Sequence, residues 1–401
     1  MVPNPAVGVL FHWLGGLASA SFYVPYRWVR RWSWETYWLA GGIFSWIIAP
    51  WVLGLVMTRD LTAVLSEASG STLFWAFFFG LLWGVGGLTF GLTMRYLGLS
   101  LGMAVVLGLC AAFGTLMPPI FRGVFMTQVV GTTSGRVILL GILVCLLGIA
   151  AAGLAGIYKE RVMSPEQQKA VIKEFNLKKG IGVATLSGVM SACFAYGLAA
   201  GDPIKAITLK HGTPVLWQGL PVLVVVLIGG FTTNFVWCLV LNIRNKTGYQ
   251  YFSATARESN PGAETIIETA IDAPSREMEQ RMLDAQDGAQ AVQVLETAAA
   301  NPDSESVPML ANYLLCALAG TTWYFQFFFY TMGETQMGRF KFSSWTLHMA
   351  SIIIFSTLWG LGFKEWKGAG APAMRLLFLA LLLLVGSTVI VGYGNYLGLA
   401  R

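Results

Sequence analysis

Stretches of about 20 residues with few charges recur ten times along the chain, near residues 6–25, 36–57, 73–95, 99–121, 136–157, 180–200, 214–242, 308–332, 342–363 and 373–396. That length fits a hydrocarbon core about 30 Å thick. Apolar and polar positions do not alternate strictly within them, which excludes barrel strands. The helix remains as the fold that satisfies its own backbone where no water is present. The pattern predicts an all-α polytopic membrane protein with ten transmembrane helices. Met1-Val2-Pro3-Asn4-Pro5 lacks the basic flank of a signal peptide, so the first span is expected to remain a helix.

The hydrophobic pattern is also written twice. Gly16-Leu17-Ala18-Ser19-Ala20-Ser21-Phe22 returns as Gly188-Val189-Met190-Ser191-Ala192-Cys193-Phe194, and Gly8 returns at the same offset as Gly180. Gly80, Trp83, Phe90 and Gly98 return as Gly320, Trp323, Tyr330 and Gly338, at a larger offset because a polar stretch intervenes. Two weakly similar halves are the mark of a transporter built from structural repeats. Five helices per half make the second enter from the opposite side, giving two inverted five-helix repeats. The expected division is 1–157 for the first repeat, a charged cytoplasmic hinge over 158–179, and 180–401 for the second repeat. The second contains an acidic cytoplasmic insertion at 243–307.

Composition agrees: 55% of residues are hydrophobic and 11% charged, against about a quarter charged in soluble domains. The net charge of +6 does not point to nucleic acid. Its cations sit in short loops, where they set orientation. Arg27, Arg30 and Arg31 mark the first loop, the lysine-rich hinge the fifth, and Lys364, Lys367 and Arg375 the ninth. The other loops carry less, chiefly Arg59, Arg122, Lys205, Lys210, Arg339 and Lys341. The odd loops are therefore expected in the cytoplasm and both termini outside. The five cysteines all fall inside apolar spans with no CxxC pair, and read as buried free thiols. Over half of the acidic residues fall in 243–307, which has little to bury and reads as a partly helical or disordered spacer.

An ionisable group away from the ends of a membrane span is a functional candidate, because burying it is expensive. His12 and His348 lie inside the first and ninth spans, and histidine titrates near neutral pH. Glu35 opens the second span, as a carboxylate rival for proton coupling or as a surface partner of Arg31. Glu334 closes the eighth span, and Asp202 and Glu365 sit just past helix ends. His12, Gly16, Ser19 and Tyr23 share one helical face; so do Trp323, Gln326, Phe327 and Tyr330; so do Ser344, His348 and Ser351. Trp83, Gly87, Phe90, Gly91 and Met94 line the third span, where the Gly80/Gly84 and Gly87/Gly91 pairs predict close helix packing. These stripes should face the bundle interior. They suit a neutral sugar: Trp83, Trp323 and Tyr330 for its C–H faces, Gln326, Tyr23 and Ser19 for hydroxyls, and Phe90 with Met94 for a deoxy methyl group. Gly98-Leu99-Ser100-Leu101-Gly102 matches GxSxG, yet that motif needs a strand-to-helix elbow and falls here in a turn between spans. No metal-ligand or nucleotide-binding motif appears, so no cofactor is expected beyond a proton as coupling ion.

Longer strings carry a resemblance. Phe22-Tyr23, Trp32-Ser33-Trp34-Glu35-Thr36, Gly91-Leu92-Thr93-Met94-Arg95-Tyr96-Leu97-Gly98 and Glu174-Phe175-Asn176-Leu177-Lys178-Lys179-Gly180 resemble the bacterial L-rhamnose–proton symporter family of the drug/metabolite transporter superfamily. So do Trp323-Tyr324-x-Gln326-Phe327-Phe328-Phe329-Tyr330, Ser344-Trp345-x-Leu347-His348-Met349 and Lys364-Glu365-Trp366. The likeness spans nearly the whole chain except 243–307. It implies ten helices in two inverted halves and proton-driven uptake of a deoxy sugar across the bacterial inner membrane, with His12, Tyr23, Trp323, Gln326, Tyr330 and His348 on shared positions. The third span departs from the family at Gly87, Leu88, Thr89 and Phe90, where its pattern carries asparagines, so L-rhamnose and closely related deoxy sugars both stay open. An exporter or carrier of another metabolite is the nearest alternative. A membrane sensor signalling through the acidic insertion is the alternative from another class. The missing catalytic constellation disfavours an enzyme.

Overall fold

The computed structural model describes residues 2–162, 176–254 and 306–399. The central part of the expected hinge and most of the acidic insertion lie outside them. Ten long helices make up the described bundle: α1 Pro5–Ser21, α2 Trp34–Met57, α3 Gly70–Leu97, α4 Leu99–Phe121, α5 Thr133–Arg161, α6 Leu177–Ala200, α7 Leu220–Asn245, α8 Met309–Thr335, α9 Ser344–Gly362 and α10 Gly370–Leu399. Nine regions of the described residues are long and apolar enough to cross a membrane. Helix α8, at 27 residues, is the remaining one. Its threonines, Tyr324, Tyr330 and Gln326 dilute its apolar content because it lines the interior. All five cysteines are free and buried, as expected.

The helix pairings repeat five places along the chain. Helix α1 packs on α8 and α9, and α6 packs on α3 and α4. Helix α2 meets α8, and α7 meets α3; α4 packs on α5, and α9 on α10. The echoed glycines do equivalent work. A Cβ on Gly80 would strike the Val226 carbonyl of α7, and one on Gly320 the Gly41 carbonyl of α2. Gly8 is covered by the Met337 side chain and Gly180 by that of Leu97. Gly98 and Gly338 both take positive φ, +77° and +55°. Because Gly320 faces main chain that cannot swing aside, Gly320→Ala should lower the detergent melting temperature by the equivalent of about 1–3 kcal/mol. Gly182, with open space around its Cβ position, should gain up to about 1 kcal/mol on the same change. Paired thermal scans check both.

Two local breaks shape the interior. Pro25 offers no N–H to the Ser21 carbonyl, and α1 gives way at Phe22 to a four-residue turn, Tyr23–Tyr26. In α2, Pro50 cannot bond the Trp46 carbonyl, and the helix widens to a π-turn over Phe44–Ile48. That turn presents Ser45 and Trp46 to the bundle interior.

Three expectations need correction. Gly87 has nothing within 4 Å of its Cβ position and is exposed, so it is not a packing glycine, whereas Gly84 is covered by Thr233. Residues 243–253 belong to the folded body and not to the insertion: α7 runs to Asn245 and a 3₁₀ turn follows at Gly248–Tyr251. Glu35 is fully buried and so does not sit at the surface. The GxSxG stretch is a helix start, in which Glu160 accepts from the Ser100 N–H (3.0 Å) and hydroxyl (2.7 Å).

Candidate functional site

Helix α8 organises the site as a ladder. Trp323, Phe327, Tyr330 and Glu334 follow one another at helical spacing, so about 16 Å of axis separates the first from the last. Each rung meets a different set of partners.

At the Tyr330 rung, α1 supplies His12 and α9 supplies His348, both fully buried. The Tyr330 ring stands edge-on between them, 5.3 Å from each imidazole centroid. The Ser351 hydroxyl lies 2.8 Å from the carbonyl oxygens of both histidines and ties α1 to α9. Gly16 permits this approach, because a Cβ there would overlap Ser351. Among the described residues, none of the four imidazole nitrogens has a hydrogen-bond partner. Neutral imidazole carries one donor and one acceptor, and leaving such a group unpaired costs about 1–3 kcal/mol. Apolar residues in the same space would avoid that cost. Gln326 is buried on the same helix, its carbonyl held against Gly15 of α1.

One turn beyond, Glu334 closes the ladder. It accepts from the buried Lys205 ammonium at 2.7 Å, Lys205 also pairs with Asp202 at 3.1 Å, and Asp202 with Arg122 at 2.6 Å. The chain of charges joins the ends of α4, α6 and α8.

At the Trp323 rung, aromatic rings take over. Trp323 meets Trp83 (5.7 Å), Trp46 (5.6 Å) and Phe327 (5.2 Å). Phe194 stacks on Phe327 at 3.8 Å. Phe22, Tyr26, Trp38, Gly42, Ser45, Trp46 and Trp323 line a narrow cleft. Its walls lie too close in this conformation to seat a sugar ring. Phe327 bridges cleft and histidines, 5.7 Å from His348.

The structure thus brings His12, Trp83, Trp323, Gln326, Tyr330 and His348 into one continuous region. Ser19 is half-buried further along α1, and Tyr23 is 41% exposed but stacks on Trp38 at 6.2 Å at the cleft's edge. Phe90 and Met94 stand apart: Phe90 packs with Leu97, Val106 and Ala184, and Met94 against Gly102. They share a face with Trp83 but lie about 10 and 16 Å further along α3. Glu35 is also separate. One carboxylate oxygen accepts from Thr247 (2.6 Å) and Asn245 (3.2 Å), while the other has no hydrogen-bond partner among the described residues. Burial pushes the nearby Tyr251 phenol up, so it stays a neutral donor. Trp38, Trp46 and Asn234 line or support the cleft and were missed by sequence reasoning. The Pro50 signal, one turn past Trp46, was available to find the last turn of the cleft wall.

A bundle of membrane-crossing helices enclosing polar groups and aromatic platforms, with no nucleophile–base pair or metal cluster among the described residues, defines a transporter of a small solute. A family model described as L-rhamnose-proton symport protein (RhaT) matches residues 1–256 and 292–397. The chain is 34% identical to the L-rhamnose-proton symporter of Cronobacter sakazakii over 389 residues, covering 97% of each chain. It is 33% identical to that of Pectobacterium carotovorum over 393 residues, covering 98% of each, and 34% identical to that of Citrobacter koseri over 391, covering 97% of each. The chain belongs to the L-rhamnose-proton symport family, a family of multi-pass membrane transporters and not of enzymes.

Proposed function

We propose that this protein takes up L-rhamnose together with a proton across the bacterial inner membrane, as two inverted five-helix repeats with periplasmic termini. The mirrored pairings and the equivalent glycines support the repeat. In that frame Trp83 and Trp323 are counterparts, and their ring contact at 5.7 Å supports a pseudo-dyad that runs between them. The Lys205–Glu334 end of the ladder is then the periplasmic one, and the Trp38 cleft looks toward the cytoplasm.

The observation that carries the reading is where the symmetry breaks. By the echo offsets, the counterpart of His12 is Ala184 and that of Tyr330 is Phe90, both in an apolar cluster with Leu97, Val105 and Val106. The His12–Tyr330 contact keeps an imidazole with no hydrogen-bond partner among the described residues, where the equivalent Ala184–Phe90 region is filled with hydrocarbon. Polar groups retained at that cost mark the proton and ligand path. A pyranose has hydroxyls around its rim and C–H groups on its faces, which suits Trp38, Trp46, Trp83 and Trp323 for stacking, and Gln326, Tyr330, Tyr23 and Ser19 for the rim. A mismatched hydroxyl costs about 1–3 kcal/mol there, enough to select among sugars. The proton resides on the His12–His348 pair, with Tyr330 between them, and no other cofactor is invoked.

The test is uptake of labelled L-rhamnose, L-fucose, D-mannose and an amino-acid panel in proteoliposomes, with and without an imposed inward proton gradient. Rhamnose should be accumulated when the gradient is present and only equilibrate without it. Accumulation of another panel member in preference, or indifference to the gradient, would overturn the reading.

A second expected outcome arises from Trp323. It touches Trp46, Trp83 and Phe327 at once, so Trp323→Ala should raise the KM for rhamnose by at least about tenfold, as lost stacking is worth about 0.5–1.5 kcal/mol beyond the buried area. Trp323→Phe, keeping a ring, should recover most of that. Concentration-dependent counterflow measures both.

A further inference from the structure

We propose that Asn234 is the positioning residue that sets Trp38 as the sugar's stacking platform, and so tunes affinity for the sugar and not the rate of the membrane-crossing step; this rests on the reading of the cleft as the sugar site. Trp38 is the hub of the cleft wall. It stacks on Trp34 at 5.4 Å with an interplanar angle of 18°, on Tyr23 at 6.2 Å with 24°, and meets Trp46 at 6.0 Å with 68°. Those contacts leave the ring free to tilt, because stacking energy is broad in angle. One directional contact fixes it. The Trp38 indole N–H donates to the Asn234 Oδ1 at 3.1 Å, across from α2 to α7.

Asn234 is in turn fixed. It is 6% exposed, and its amide N–H donates to the Gly230 carbonyl at 2.9 Å. An indole can only donate and a backbone carbonyl can only accept, so the amide has one orientation that satisfies both. The Trp38 ring is thereby held at one tilt beside its stacked neighbours, with its one polar atom already engaged. The part of it that lines the cleft offers a sugar apolar surface and no free donor. The contrast lies in the same aromatic region: among the described residues, the buried Trp34 and Trp46 indole N–H groups have no hydrogen-bond partner and so no such restraint. The bond also joins α2 to α7, counterparts in the two halves, so the platform is set by both repeats at once.

The full-length protein in proteoliposomes decides this, with KM and Vmax for L-rhamnose from initial rates under a fixed proton gradient. Asn234→Leu, close in volume and lacking the acceptor, should raise KM by about tenfold with Vmax within twofold of the parent. Trp38→Phe, which keeps a ring but has no N–H, should raise KM similarly, and adding Asn234→Leu to it should raise KM no further. Rhamnose-dependent quenching of tryptophan fluorescence should shift to the same higher concentrations in Asn234→Leu. If Asn234→Leu does not reach the membrane, Trp38→Phe decides alone. An unchanged KM in Trp38→Phe, a fall in Vmax at constant KM in Asn234→Leu, or additive effects in the double variant would overturn the proposal while leaving proton-driven rhamnose uptake standing. Failure of the unmodified protein to accumulate rhamnose would instead sink the function on which it rests.

Discussion

Replacing His348 with glutamine should leave rhamnose counterflow intact and abolish accumulation against a gradient. One proton moved through 100 mV supplies about 2.3 kcal/mol, and about 1.4 kcal/mol is a factor of ten, so a coupled carrier reaches an accumulation ratio of roughly 50 at that potential. An uncoupled one stops at about 1. Glutamine occupies much of the imidazole's space and keeps a donor and an acceptor, but it cannot carry a proton at working pH. The Phe327 and Trp345 rings beside His348 keep their packing, so the sugar site should survive. His12→Gln should behave in the same way, since both imidazoles flank one tyrosine and Ser351 holds their backbones together. The measurement is rhamnose-induced external alkalinisation beside the accumulation ratio. Undiminished proton movement in both variants would take histidine out of the coupling step and shift attention to Glu35, a fully buried carboxylate with one oxygen unpartnered among the described residues.

Much of this arrangement was legible in the sequence, because membrane helices announce themselves by length and close helix contacts by their glycines. Gly16 and Gly320 are fixed by the close approach of Ser351 and of the Gly41 main chain, and the similarly spaced Gly188 and Gly80 meet close neighbours too. The buried histidines were legible because an imidazole is costly to keep in an apolar span, so its presence there already marks a polar interior. Depth was not legible. Helical periodicity says which face Phe90 and Met94 share with Trp83, but nothing about which neighbour stands at each level, and these two meet α4 and α6 far from the cleft. The cleft wall was hidden for a different reason. Trp38 and Trp46 lie in a helix almost uniformly apolar, and only the π-turn before Pro50 and the remote acceptor Asn234 single them out. Likewise the partners of Glu35 come from 245–251, which charge patterning had assigned to a solvated insertion.

The largest expected loss of stability is at Lys205. Its side chain is 5% exposed and is held by two carboxylates, Glu334 at 2.7 Å and Asp202 at 3.1 Å. Lys205→Met keeps the length and apolar stem but leaves Glu334, whose side chain is 14% exposed, without its cation. Removing one partner of a buried pair typically costs about 3–5 kcal/mol, most of it from the uncompensated charge. Lys205→Met should therefore melt far below the parent in detergent, and Lys205→Met with Glu334→Gln should recover much of the loss. There is a functional side to the same bond. Glu334 is one turn beyond Tyr330 on α8, so the ion pair ties the short helix Asp202–Lys210 to α8 at that end of the histidine site. If weakening the pair opens the bundle at that end, Tyr330→Cys should become accessible to a membrane-impermeant maleimide from the Glu334 side when combined with Glu334→Gln, and stay protected with Glu334 intact. Equal labelling in both backgrounds would show that the charges hold the fold together without governing access.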